Sequence, residues 1–199
     1  YYNICDNCNL VFLNPVFKDK ELLKYYMDLH QSQAKIVKNE APFYRKIFTK
    51  GLMSIQKFKK QKKIIDIGCS SGFFLDIAAG HGWETYGIEY NNEKKLADKN
   101  HVIFSQEIET LTNLKFDVVT MWDVFEHIKD GNTCLKKIKK KLNKKGLVFI
   151  QTPNVFSIAA RILQEKCNVF DGIEHVNLYN FENIKLIAKK NGFKILKNE

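Results

Sequence analysis

No apolar run in the 199 residues approaches the ~20 that a membrane-spanning helix needs. The first residues are polar and cysteine-bearing, without the charged start and apolar core of a secretory leader, so the cytoplasm is the expected compartment. Cysteines are few, five in all, and only Cys5 and Cys8 stand close together. Cys69, Cys134 and Cys167 are dispersed among core-like segments and read as small buried thiols. No internal repeat or low-complexity linker interrupts the chain. Aromatic residues do not alternate with basic ones as a nucleic-acid stacking platform requires. The formal net charge of +10 therefore says little about partners, because lysine is spread over nearly every segment. In the densest run, 135–142, apolar residues recur at helical spacing, and its lysines read as a solvated helix face.

What is present is enough for one well-buried α/β core plus a small appendage, with 45% hydrophobic content. The chain is organised around Lys63-Ile64-Ile65-Asp66-Ile67-Gly68-Cys69-Ser70-Ser71-Gly72-Phe73-Phe74-Leu75. A β-branched run suits a buried parallel strand, and Gly68 and Gly72 let the backbone turn sharply and approach a ligand. The next strand-like run, 84–88, ends in Glu89, where open α/β folds place the carboxylate that grips ribose hydroxyls. A dinucleotide fingerprint needs glycines at its first, third and sixth places, which here hold Gly68, Ser70 and Phe73. A phosphate-cradling loop ends in Gly-Lys-Ser/Thr, and here Gly72 is followed by two phenylalanines. NAD, ATP and GTP are disfavoured on those grounds.

Asp-x-Gly-x-x-x-Gly followed by Glu89 resembles motif I and its successor in class I S-adenosylmethionine-dependent methyltransferases. The resemblance continues through Phe116-Asp117-Val118-Val119, Trp122-Asp123-Val124-Phe125-Glu126-His127, Gly146-Leu147-Val148-Phe149-Ile150 and Glu174-His175, covering residues 63 to 195. Ser70 departs from the middle glycine of many relatives. The resemblance implies a Rossmann-like α/β fold, a mostly parallel sheet with helices on both faces, here cut short at both ends. It also implies S-adenosyl-L-methionine as cofactor. Residues 1–60 would form an N-terminal knuckle and helical cap, and 61–199 the cofactor-binding methyltransferase domain.

On this pattern the cofactor-binding candidates are Asp66, Gly68, Cys69, Ser70, Gly72 and Phe73 in the turn, with Glu89 and Tyr90 for the ribose and adenine. Gln106 and Glu107 would reach the adenine amine, and Trp122, Asp123 and Val124 would line the methionine end. Where the acceptor carries a proton it must be removed, and two Glu-His pairs, Glu126-His127 and Glu174-His175, offer bases of suitable pKa. His175, His127 and Glu174 are the catalytic candidates, and a histidine that merely fixes a loop is the alternative for each. Some sugar C-methyltransferases with this pattern use a tyrosine three residues before the histidine, where this chain has Gly172.

Cys5-Asp6-Asn7-Cys8 resembles the second half of the zinc ribbon that precedes many methyltransferases acting on sugars and related small molecules. Two thiolates are half of a closed zinc site, so no metal is assigned to this sequence itself. Helices are expected over 18–29 and from Pro42 to about 60, where Tyr25, Tyr26 or Tyr44 could touch ligand. Further helices are expected from Phe73 to His81, from Asn92 to Lys99, over 131–142, over 155–166 as a lid and over 181–190, with strands at 101–104, 147–150 and 193–196. The expected partner is a small-molecule acceptor, a sugar nucleotide or another metabolite, with no membrane. RNA methylation and a non-catalytic cofactor-binding scaffold are the alternatives.

Overall fold

The computed structural model describes residues 1–29, 40–60, 62–91, 94–97 and 99–198. The side chains of 23, 26–29, 94 and 96 lie outside the description, which takes Tyr26 with them, and Asn92, the expected start of a helix, is outside it altogether. The chain forms two compact units: one comprises 1–22, 123–137 and 151–199, the other 23–122 and 138–150. This division cuts across the boundary expected near residue 60, because the helix after Pro42 packs into the core of the second unit and residues 123–137 and 151–199 join the N-terminal knuckle.

The second unit holds a five-stranded sheet in the order β5-β4-β3-β6-β7, formed by β3 (Lys63–Ile67), β4 (Glu84–Ile88), β5 (Val102–Phe104), β6 (Phe116–Trp122) and β7 (Leu142–Gln151) up to residue 150. The pairings of β3 with β4, β3 with β6 and β4 with β5 are parallel. All seven residues of β6 are buried, the near-continuous apolar run of a strand covered on both faces. Helix α2 (Ala41–Gln56) starts with a proline in its first turn, where no backbone N–H is needed, and buries Gly51, Leu52 and Ile55. Helix α3 (Phe73–Gly80) buries Phe74, Leu75, Ile77 and Ala78, and with α2, Ile64, Val118 and Trp122 it forms the apolar core. Gly82, in the left-handed region, closes α3, and His81 Nδ1 lies 2.9 Å from the Ile77 carbonyl oxygen, as expected of a residue at a helix end.

The first unit contains a hairpin of β1 (Tyr2–Ile4) and β2 (Val11–Leu13), extended antiparallel by β8 (Asn177–Leu178). Val11, Val155, Ala160, Cys167, Val169 and Leu178 make its core. Its last helix, Phe181–Lys190, coincides with expectation and opens with a reciprocal cap between Asn180 and Asn183. Helix Gly131–Lys141 buries Leu135 and Ile138 while Lys136, Lys139 and Lys140 are exposed, the solvated face read from the sequence.

Three elements differ from expectation. Strand β7 begins at Leu142, ahead of the expected 147–150, so the polar segment 143–146 is part of the strand, with Lys145 in the left-handed region. The lid over 155–166 is one short helix, Ile158–Leu163, and a 3-10 turn, Gln164–Lys166. Of the helix expected after Glu89, the described residues include the turn Lys94–Ala97. Residues 193–196 are not a strand, since no strand among the described residues offers them a ladder.

Candidate functional site

Two clusters of polar side chains stand out, one in each unit. In the second unit the turn after β3 carries three residues in the left-handed region, Gly68 (φ 73°), Ser70 (φ 47°) and Gly72 (φ 82°). A serine there costs roughly 1–2 kcal/mol of backbone strain. The conformation aims the Ser70 N–H at Glu89 Oε2, 2.8 Å away. Glu89 Oε1 accepts from the N–H groups of Tyr90 (2.8 Å) and Asn91 (3.1 Å). The acid one strand over and the glycine turn are thereby joined, and the carboxylate is fixed in place while only 8% exposed.

Asp66 takes a different place. It lies inside β3, 3% exposed, where Thr120 Oγ1 donates to its Oδ1 at 2.6 Å. Burial, with the Glu89 charge adding to it, pushes its carboxyl up to about 8. Cys69 is also buried, its Sγ occupying the space beside Gly87 that a Cβ there would fill. Phe73 is half-buried, with Arg45 stacked 5.0 Å from its ring centre. Tyr90 is half-exposed, and Gln106 and Glu107 are exposed on the loop after β5. Trp122 is core: its indole packs on Phe48, Phe74 and Phe149 at 4.6–5.0 Å between ring centres. Its ring fills the hollow left by Gly51 of α2, where any Cβ would collide with it.

In the first unit Asp123, with φ 50°, is tied to Gln151, whose side-chain N–H donates to its Oδ1 at 2.8 Å. Half-buried Val124 leads into the 3-10 turn Phe125–His127. Glu126 has no exposed surface; Thr152 donates to its Oε2 at 2.9 Å, and Oε1 lies 3.9 Å from His127 Nε2 with no hydrogen-bond partner among the described residues. Burial raises this carboxyl to about 7. His127 Nδ1 sits 3.0 Å from the Glu174 carbonyl oxygen, and His175 Nδ1 sits 2.9 Å from that of Val169. A carbonyl oxygen only accepts, so each Nδ1 bears a proton and Nε2 is the ring nitrogen left to take up or give up another. The two rings are 4.9 Å apart, and burial followed by the charge of His175 lowers the pKa of His127. Glu174 contributes its backbone carbonyl at His127, and the charge of its carboxylate acts on the same ring in the opposite direction to burial.

Three participants escaped sequence reading. Thr120 and Thr152 partner buried carboxylates from positions that carry no signal of their own. Asp171 gathers the N–H groups of Ile173, Glu174 and His175 on its carboxylate and lies 3.2 Å from His175 Nδ1. The Asp171-Gly172 pair is a turn signal that could have found it. Cys5 and Cys8 flank a tight knuckle in which the Cys5 N–H donates to the Leu10 carbonyl. The backbone N–H groups of Asn7 and Cys8 hold the Cys5 thiol below its ordinary range.

Comparison with known proteins bears on the family and the fold. A family model of the methyltransferase domain matches residues 40–198. A ubiquinone biosynthesis O-methyltransferase of Glaesserella parasuis is 30% identical over 108 residues, 47% of this chain and 46% of that protein. The chain thus spans about half the length of the curated relatives it matches. Among solved structures, the magnesium protoporphyrin IX methyltransferase of Synechocystis PCC 6803 with bound S-adenosylhomocysteine aligns with a TM-score of 0.70 at 15% identity, covering 90% of this chain and 91% of that one. A SAM-dependent methyltransferase of Archaeoglobus fulgidus aligns at 0.62 and 23% identity, covering 75% and 69%. The chain belongs to the methyltransferase domain family, and its fold is that of the S-adenosylmethionine-dependent methyltransferases.

Proposed function

We propose that the chain carries out S-adenosylmethionine-dependent methyl transfer to a hydroxyl group of a small-molecule acceptor. The pinning of both histidine Nδ1 atoms on carbonyl oxygens, beside a buried carboxylate, carries this reading. The ribose is assigned to Glu89, whose carboxylate is already oriented by three backbone N–H groups and needs no rearrangement to meet a hydroxyl. The left-handed turn at Gly68, Ser70 and Gly72 and the half-exposed Tyr90 ring suit a nucleoside with a charged tail. Bound there, the cofactor supplies an electrophilic methyl group on a sulfonium.

A hydroxyl is a weak nucleophile until its proton leaves, and His175 Nε2 is the base assigned to it. The acceptor's O–H bond would break as its oxygen took the methyl group, the S–methyl bond breaking to leave a neutral thioether, and the proton would become the second proton of the imidazole. Asp171 Oδ2, 3.2 Å from Nδ1, helps hold the ring in its orientation. The protonated ring would favour the ionised form of the buried Glu126 carboxyl. The match to an O-methyltransferase supports oxygen as the acceptor atom, and the resemblance of the Cys5 knuckle to the ribbon of sugar-modifying relatives supports a sugar nucleotide or similar metabolite.

Incubation with methyl-labelled S-adenosylmethionine and pools of sugar nucleotides, phenolic metabolites and RNA tests the proposal. Label entering a small hydroxylated acceptor is the expected result. Label in RNA, or cofactor binding with no methyl transfer to any pool, overturns it.

A further inference from the structure

His101 lies outside every motif that pointed to the cofactor, yet its side chain is 2% exposed and bonded at both ring nitrogens. Nε2 is 3.0 Å from Asp76 Oδ1 on α3, and Nδ1 is 2.7 Å from Thr85 Oγ1 on β4. Its backbone N–H donates to the Ala97 carbonyl, fixing the ring's start at the head of β5. The ring edge then meets the back of the glycine turn: a Cβ built on Gly72 would lie 3.3 Å from His101 Cδ2 and 2.8 Å from Ala97 Cβ. Gly72 in turn accepts the Asp76 N–H on its carbonyl at 2.8 Å. Asp76 therefore holds the turn by its backbone and the ring behind it by its side chain.

We infer that His101 is a positioning residue for the cofactor, a brace that ties α3 to β4 and supports Gly72 from behind so that the turn presents the Ser70 amide to Glu89. Two hydrogen bonds from opposite edges leave the imidazole no rotational freedom, and a ring held in that way limits how far Gly72 can retreat. A phenylalanine of similar volume would fill the space without either bond. A glutamine could keep the bond to Asp76 alone, and an asparagine the bond to Thr85 alone.

The inference rests on the cofactor lying over Gly68–Gly72, so the test separates the two. S-adenosylhomocysteine affinity is measured by calorimetry well below the melting temperature for the unaltered chain and for His101→Ala, His101→Gln, His101→Asn and Glu89→Ala. His101→Ala is expected to weaken binding about tenfold, the single-bond variants to fall between it and the unaltered chain, and KM for S-adenosylmethionine to rise with kcat within about twofold. A lowered melting temperature with affinity unchanged would make His101 structural only and overturn the inference. Should His101→Ala fail to fold, Thr85→Val and Asp76→Asn each remove one bond and are expected to weaken binding about threefold; unchanged affinity in both overturns it equally. If Glu89→Ala also binds normally, the placement of the cofactor itself has failed; if Glu89→Ala loses binding and the His101 variants do not, only the brace has.

Discussion

Thr120 and Asp66 face each other in register on adjacent parallel strands, and the threonine hydroxyl donates a 2.6 Å hydrogen bond to the buried carboxyl. With its carboxyl pushed up to about 8, Asp66 binds a proton in the folded chain that it releases in the unfolded one. The unfolded state therefore holds fewer protons between about pH 4 and pH 8, and stability falls as pH rises through that window, by at most about 1.4 kcal/mol per pH unit from this residue. Asp66→Asn keeps the shape and removes the titration. Urea unfolding from pH 5 to 9 should give a flatter slope for the variant than for the unaltered chain. Some slope should remain, since Glu126 is raised in the same direction. Parallel curves would show that Asp66 ionises normally.

Glu89→Ala should weaken S-adenosylhomocysteine binding by about 1.5–3 kcal/mol, the range for hydrogen bonds to a charged group. The change also leaves the Ser70, Tyr90 and Asn91 amides without their shared acceptor, so the turn itself should loosen. Calorimetric affinity equal to that of the unaltered chain would remove Glu89 from the ribose.

His175→Ala should lower kcat by roughly 100-fold or more, the contribution of a general base, while cofactor affinity stays within about twofold. Asp171→Asn should lower kcat less, because the ring keeps its bond to the Val169 carbonyl. Steady-state kinetics beside calorimetry makes the comparison. Full activity in His175→Ala would mean that the ring only fixes the loop.

Gly51→Ala sets two effects against each other. Helix propensity alone favours alanine by about 1 kcal/mol, but the new methyl would collide with the Trp122 ring and press on Phe149. Overpacking of a filled core costs about 1–3 kcal/mol, so net destabilisation is expected. A rise in melting temperature would show that the indole can shift.

The glycine turn, the acid after β4 and the alternation of strands and helices were legible in the sequence because each is local. A β-branched run followed by glycines dictates its own backbone, and Asn191-Gly192 stops a helix wherever it stands. Trp122 shows where legibility ends. Its neighbours Met121 and Asp123 give no sign that the indole packs under a helix seventy residues earlier, and the glycine that makes room for it reads locally as a weak point of that helix. Residues 193–196 show the same limit from the other side: a strand-like composition does not make a strand without an edge to pair with.

By itself, the sequence determined that a tight left-handed turn follows a buried strand and that a carboxylate ends the next one, since side-chain size and backbone freedom act over a few residues. Tertiary structure alone decided which acids remain ionised and which nitrogen of each histidine keeps its lone pair. Those properties depend on burial and on hydrogen-bond partners such as Thr120, Val169 and Glu174, which lie 54, 6 and 47 residues along the chain from the groups they govern. Desolvation and partner geometry are set by packing, and packing is not a property of any one segment.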